Sequence, residues 1–258
     1  MKDVIIIGAG MAGLAAALEL KRRGLSYVIL EAASQPGGRA ITHTTATGTA
    51  VDMGAHWLHG EDTPLKALVE GYGLPFRADE AGDMLICENG TARRDEAEDW
   101  LDGALDHAKA DGIKSGALLD CPLHELGKDD RARKVLAEFG LMWDGVEPPL
   151  YPSALEFLTD ENTPGGLQLP GGLGTLIAAM AAEAGPITCN TVVTAIQADS
   201  DGVSVHGGDR AWHARHALVT VSLGVLKSGA IAFDPPLSDV LRAHLKGITM
   251  GNDEQDRR

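Results

Sequence analysis

Cysteine is scarce in this chain. Cys87, Cys121 and Cys189 are odd in number and far apart. They form no metal-binding or redox spacing, and reduced thiols in the cytoplasm are the simplest reading. Long apolar runs are missing as well: no stretch of about 18 apolar residues is present to span a membrane. A secretory leader is not expected, because the first strand signal begins at Val4 and cleavage would destroy the segment that follows it. Basic residues are few, 22 Lys and Arg against 37 Asp and Glu, for a net charge of −15. That balance argues against nucleic acid as a direct partner. Neither a Ser/His/Asp set nor a paired acid/base motif stands out.

What is present begins at the start of the chain. Val4-Ile5-Ile6-Ile7 is a β-branched apolar run, followed at once by Gly8-Ala9-Gly10-Met11-Ala12-Gly13. Leu14 to Arg23 reads as a helix, Gly24-Leu25-Ser26 as a turn, and Tyr27-Val28-Ile29-Leu30 as a second strand ending on Glu31. This is the dinucleotide-binding βαβ pattern. Gly8 allows the tight turn, Gly10 lets a pyrophosphate lie against bare backbone, and Gly13 lets the helix pack close to the sheet. The helix N-terminus offers N–H groups and a positive dipole end. Glu31, 18 residues past Gly13, can accept hydrogen bonds from a ribose diol and would repel a 2′-phosphate. A purely structural glycine turn is the competing reading, and the flanking strand, helix and acid weigh against it.

Two further segments narrow the ligand. Ala32-Ala33-Ser34-Gln35-Pro36-Gly37-Gly38-Arg39 offers a second backbone approach and a cation near the same pyrophosphate. Val51-Asp52-Met53-Gly54-Ala55-His56-Trp57-Leu58-His59-Gly60 follows. Together these segments resemble the FAD-binding start of the flavin-containing amine oxidases, a group that spans monoamine, polyamine and spermine oxidases and the flavin histone demethylases. The His59-Gly60 ending leans towards the polyamine-oxidase branch. The resemblance implies that FAD is held by Gly8, Gly10, Ala12, Gly13, Glu31, Ala32, Gly37, Gly38, Arg39, Gly54, Ala55, His56, Trp57 and Val193. Taken alone, Val193 would be a core valine. His59 is the candidate for hydrogen-bonding a substrate or titrating near neutrality; a packed loop histidine is the alternative.

The rest of the chain fits an α/β fold of Rossmann-like FAD/NAD(P)-binding type, with an inserted, mainly helical α+β substrate domain. Residues 1–76 form the first FAD-binding segment, 77–163 the insertion, 164–226 the second FAD-binding segment, and 227–258 the start of a second substrate-domain segment with a polar tail. Ala40 to Val51 reads as extended with a turn at Gly48-Thr49, and Leu65 to Tyr72 as a helix capped by Thr63. Within the insertion, a strand signal at Met84–Cys87 precedes helical segments at Glu96–Ala110, Asp129–Phe139 and Ser153–Leu158. Pro170-Gly171-Gly172 leads into a helix at Leu173–Glu183. No Lys-Ser/Thr follows it, so it is no P-loop. Ile187 to Ile196 reads as one strand, with a meander at Val203–His206 and Ala211–Val221. His206, His213 and His216 read as surface polar residues, and no metal site is expected. A last helix spans Val240–Lys246.

Between Asp79 and Glu161 there are 21 acidic and 8 basic residues, so most of the excess acid lies in one stretch. Either it is a solvated helical surface, or its field concentrates cationic amines near a substrate entrance.

The resemblance covers Val4–Pro75 and Thr163–Gly251 and stops there. The family's lysine near flavin N5, its aromatic cage and its last Gly-rich segment find no counterpart, and neither Lys227 nor Lys246 stands at that lysine's position. The expectation is a C-terminally incomplete amine oxidase. Its family reaction oxidises a C–N bond of a polyamine-like substrate by hydride transfer to the flavin, with peroxide formed. Two alternatives remain. One is a non-catalytic nucleotide-binding remnant, or one subunit of a split enzyme completed by a second polypeptide. The other is an NAD-dependent oxidoreductase, which would not need Gly37-Gly38-Arg39 or Val51–Gly60.

Overall fold

The structure is a computed structural model and describes residues 1–59, 63–78, 86–88, 91–93, 121–127, 129–134, 136–137, 153–154 and 166–248. The chain divides into two compact units, one holding Met1–Asp79 with Gly165–Met250, the other Glu80–Pro164.

The first unit is built on a seven-stranded sheet. Strand β1 (Lys2–Ile7) lies between β2 (Tyr27–Leu30) and β13 (Arg210–Val219), parallel to both. On the far side of β2 lies β10 (Ile187–Thr188), also parallel. Beyond β13 the sheet continues antiparallel through β12 (Gly202–Gly207) and β11 (Val193–Asp199), then parallel to the edge strand β14 (Ala232–Asp234).

Strand period explains the core. Val4 and Ile6 point to one face and Ile5 and Ile7 to the other, and all four are buried. A strand covered on both faces must read as a continuous apolar run, and each such side chain contributes about 2 kcal/mol on burial. The Val4 and Ile6 face packs on helix α1 (Met11–Arg22) through Leu14 and Ala17. It also packs on α2 (Pro64–Gly71) through Val69, and on α3 (Gly174–Ala184) through Leu176 and Met180. The Ile5 and Ile7 face packs with Leu30, Val193, Ile196, Val205, Ala214 and Ile231.

Small elements complete the unit. A hairpin joins β3 (Thr42–Thr44) to β4 (Ala50–Asp52), with Gly48 at φ +84° in its turn. A second sheet orders β5 (Leu58–His59), β9 (Gly166–Gln168) and β6 (Arg77–Ala78). Helices α4 (Leu223–Ser228) and α5 (Asp239–Gly247) start on Ser222 and Ser238, whose hydroxyls accept from Val225 and Leu241 N–H.

The largest departure from the sequence reading is at residues 187–196. One strand was expected, and two form. Asn190 sits at φ +52°, a left-handed conformation that Asn tolerates better than most residues. It breaks the run into β10, beside β2, and β11, in the meander. The first helix also begins three residues early, because Gly10 is already its N-cap.

In the second unit, β7 (Ile86–Glu88) pairs with β8 (Thr91–Arg93). A 3₁₀ turn at Leu123–Leu126 packs with Leu136 and Ala154 in a small buried cluster. The expected helix at Glu96–Ala110 lies outside the described residues. The helix expected from Asp129 is helical over the described residues 130–134 and 136–137, with the Asp129 carboxylate accepting from Ala132 N–H.

Candidate functional site

The glycine turn at the C-terminal end of β1 is held from all sides. Gly8 has φ +106°, and its N–H donates to the Leu30 carbonyl at 2.8 Å. A Cβ on Gly13 would overlap the Gly8 carbonyl oxygen, so only glycine lets α1 sit this close to the strand. Gly10 is different: a Cβ there would meet nothing closer than Gly38 Cα at 3.8 Å. Its bare backbone faces space rather than protein. Among the described residues no acceptor meets the N–H groups of Gly10 or Ala12. Gly10 supplies no capping side chain and the first turn of α1 carries no acid. The positive end of α1 is therefore open, and Ala12 on its first turn is exposed.

Backbone hydrogen bonds draw the other segments to this turn. Gly37 N–H donates to the Ala9 carbonyl at 3.0 Å, and Gly10 and Gly37 form a parallel bridge. Ala55 N–H donates to the Arg39 carbonyl at 3.0 Å, and Met53 N–H to the Ile41 carbonyl at 2.8 Å. The Gly37–Arg39 loop thus links the turn to the Gly54–Trp57 segment. The Arg39 side chain is exposed and pairs with no carboxylate among the described residues. Glu31 stands at the end of β2, and its carboxylate accepts from Ala9 N–H at 2.6 Å and Ala33 N–H at 2.8 Å. Each oxygen keeps a second lone pair for a ribose hydroxyl. On the far side, Thr191 N–H donates to the Glu31 carbonyl and Asn190 N–H to the Ala33 carbonyl. These bonds bring the start of β11 beside Glu31 and Ala32. Val193 itself turns its side chain into the core, so only its backbone is available to a ligand.

This arrangement of strand, open helix end, acid and Gly-Gly-Arg loop belongs to a known group. The model for flavin containing amine oxidoreductases matches residues 11–129 and 123–252. The chain belongs to that family. Lysine-specific histone demethylase 1 homolog 1 of Arabidopsis thaliana is 30% identical over 96% of this chain and 33% of its own length. Lysine-specific histone demethylase 2 of Homo sapiens is 30% identical over 92% of this chain and 32% of its own. Two solved structures share the fold. Wild-type putrescine oxidase bound to putrescine superposes with a TM-score of 0.76 at 22% identity. Cyclohexylamine oxidase from Brevibacterium oxydans superposes with a TM-score of 0.75 at 24% identity. The chain spans about a third of the length of these curated relatives and 63% of the two solved chains.

FAD is the cofactor of the flavin containing amine oxidoreductases, and the residues present fit it. The cradle at Gly10, the open N–H groups of α1, the acceptor lone pairs of Glu31 and the exposed Arg39 meet the needs of a ribosyl pyrophosphate.

The Gly54–His59 segment shows local order of its own. His56 Nδ1 lies 2.9 Å from the Gly54 carbonyl, so Nδ1 carries a proton and donates it there. The His56 and Trp57 rings are 3.9 Å apart, and His59 meets Trp57 edge-on at 6.0 Å. Gly166 opposes His59 in the β5–β9 ladder. A Cβ on Gly166 would come within 2.9 Å of Trp57, so glycine there gives the indole its seat. His59 is exposed. A cavity of about 300 Å³ opens beside His56, with Asp52, Arg77, Gln168 and Gly172 also on its wall. A wider open groove of about 640 Å³ lies at the other end of β1, beside Met1, Asp201 and Arg215, away from the glycine turn.

Sequence reasoning missed three participants. Asp52 and Thr42 grip the start of α3: Leu173 N–H donates to Asp52 at 3.0 Å and Gly174 N–H to the Thr42 hydroxyl at 2.7 Å. Thr220 plugs the back of the glycine turn. Each acts on a segment more than 100 residues away, so no local spacing marks it. His206 and His213 make cross-strand hydrogen bonds to Gln197 and Ser204. No cluster of metal-ligating side chains occurs among the described residues. No described helix is long and apolar enough to cross a membrane.

Proposed function

We propose that this chain is the FAD-binding portion of an oxidase that acts on a C–N bond of a polyamine-like amine. The observation that carries the cofactor half of this reading is the open N-terminus of α1 joined by backbone hydrogen bonds to Glu31 and Gly37–Arg39. In this reading FAD contacts Gly8, Gly10, Ala12, Gly13, Glu31, Ala32, Gly37, Gly38 and Arg39 at its nucleotide end. Gly54, Ala55, His56, Trp57 and the Val193 backbone meet it elsewhere. Bound FAD supplies the two-electron oxidation of the amine carbon and, reoxidised by oxygen, peroxide. The protein's part is to hold and orient. Glu31 accepts from the ribose, the α1 N–H groups and Arg39 hold the pyrophosphate, and His56 lies on the wall of the cavity where an amine would sit. His59, exposed beside Trp57, is the candidate hydrogen-bonding partner of the substrate.

The polyamine preference is supported by the His59-Gly60 ending, of which Gly60 lies outside the described residues. The names of the 30% identical relatives support a second substrate, the methylated amine of a lysine side chain. Residues 77–163 and 227–258 are assigned to substrate-domain segments and the remainder to FAD binding, with the protein in the cytoplasm. The competing reading is a nucleotide-binding chain without turnover; the comparisons lend no support to a completing second polypeptide.

An absorbance spectrum tests the proposal. The purified chain, incubated with FAD and gel-filtered, is expected to retain oxidised-flavin bands. Anaerobic spermine should then bleach them faster than a methylated-lysine peptide does. Bands retained without bleaching by any amine would sink the catalytic half and leave the nucleotide-binding reading. Bleaching by the peptide alone would reverse the substrate order.

A further inference from the structure

The turn that faces the cofactor is fixed by a residue that does not face it. Thr220 follows β13, the strand beside β1. Its N–H donates to the Ile7 carbonyl at 2.9 Å, and its hydroxyl lies 3.0 Å from the same carbonyl and 3.2 Å from that of Gly8. The hydroxyl has one proton, shared between two acceptors. It also fills the gap left by two missing side chains: a Cβ on Gly8 or on Gly13 would each come within 2.9 Å of Thr220 Oγ1. Two glycines and one threonine therefore interlock behind the turn.

The other polar groups of the turn are already assigned. Gly8 N–H goes to Leu30, Ala9 N–H to Glu31, the Ala9 carbonyl to Gly37, and the Gly10 carbonyl to Leu14 N–H. The Gly8 carbonyl has Thr220 as its donor. That carbonyl sets the plane of the peptide leading into Ala9 and Gly10, and so the direction of the N–H groups that follow.

We propose that Thr220 is a positioning residue for dinucleotide binding. Its hydroxyl holds the Ile7–Gly8 carbonyls so that the Gly10 and Ala12 N–H groups converge on the pyrophosphate. The inference rests on the FAD reading for its ligand, but its geometry can be tested without one.

Three variants decide it. Thr220→Val keeps the shape and removes the donor, Thr220→Ser keeps the donor, and Val219→Ala weakens the same strand without touching the turn carbonyls. In the nucleotide-free chain, amide hydrogen exchange across residues 8–13 is expected to speed up about tenfold in Thr220→Val, the scale of one lost hydrogen bond to a buried acceptor. It should stay near wild type in Thr220→Ser and Val219→Ala. FAD affinity, read from quenching of flavin fluorescence, should fall by about the same tenfold in Thr220→Val alone, since a misdirected N–H loses its hydrogen bond to the phosphate. Equal effects of Thr220→Val and Val219→Ala would overturn the proposal and reduce Thr220 to strand stability. Thr220→Val behaving as wild type in both readouts would overturn it while leaving FAD binding intact. Wild type that takes up no FAD would sink the FAD reading, and the exchange pattern would still decide whether Thr220 sets the turn.

Discussion

Helices α1 and α3 start in the same way and end up doing different things. Both leave a glycine turn, Gly8-Ala9-Gly10 for one and Gly171-Gly172 for the other. Both present unpaired N–H groups and a positive dipole end. At α3 the protein fills that end itself: Asp52 accepts from Leu173 N–H and Thr42 from Gly174 N–H, while the Thr42 hydroxyl donates to Asp52. The glycines there make room for these side chains, because a Cβ on Gly172 would run into both Thr42 and Asp52. At α1 a Cβ on Gly10 would meet nothing closer than Gly38 Cα at 3.8 Å. The Glu31 carboxylate binds Ala9 N–H, one residue short of the helix cap. One helix end is neutralised by the chain's own carboxylate. The other carries no carboxylate among the described residues, as the proposed binding of an anionic pyrophosphate requires.

The comparison can be broken most severely at Gly13. Gly13→Ala would drive its methyl into the Gly8 carbonyl, pushing α1 off the sheet at a cost of about 3 kcal/mol in unfolding free energy. Urea denaturation should show that loss, and FAD titration should show binding gone. A variant of wild-type stability would mean that the helix can move freely. A second variant turns α1 into a copy of α3. Gly10→Asp places a carboxylate at the helix cap, where it should weaken FAD binding about a hundredfold by repelling the pyrophosphate. The same carboxylate should stabilise the helix by about 0.5 kcal/mol. Binding and stability moving in opposite directions is the signature; a parallel loss of both would mean a steric defect only. The third variant opens α3. Asp52→Ala should cost about 1.5 kcal/mol by uncapping the Leu173 N–H and leaving the Thr42 hydroxyl without its acceptor. Affinity for ADP, a probe of the α1 end alone, should change by less than about twofold because the two sites are separate. A large loss of ADP affinity would show that the two helix starts are coupled.

The two helix starts also mark how far local sequence reaches. Gly8, Gly10, Gly13 and Glu31 are legible because strand, turn, helix and acid are neighbours along the chain, and each glycine has a separate steric reason. The fold class followed from the same short segment, since a strand buried on both faces has to be apolar at every position. The grip on α3 is not legible, because Asp52 and Leu173 are 121 residues apart. Nor is Thr220, 213 residues from Ile7; a threonine closing a strand looks ordinary until β13 lies beside β1. Asn190 is a different kind of miss. A β-rich run around it read as one strand, and a single left-handed residue divided it, a choice that the pairing of β10 with β2 makes and local propensity does not.

The smallest effect lies at the opposite end of α3. There the dipole is negative and the last-turn acid Glu183 is unfavourably placed. Tyr72, which caps α2, donates its hydroxyl proton to Glu183 at 2.6 Å, and Tyr27 donates to the Ala184 carbonyl at 2.7 Å. Burial, then the hydrogen bond and charge of Glu183, push the Tyr72 phenol up to about 12. In the unfolded chain it ionises near 10. Between those values the unfolded state binds fewer protons than the folded one, so stability is fully present below about pH 10 and falls as pH rises towards 12. Tyr27 is shifted in the same direction, by burial first and Glu183 second. Urea midpoints measured from pH 9 upwards should therefore fall more steeply in wild type than in Tyr72→Phe, with Tyr27 supplying the remaining slope. Identical slopes would mean that Tyr72 titrates as an ordinary surface phenol, and that its proton does not bind Glu183 to the end of α3.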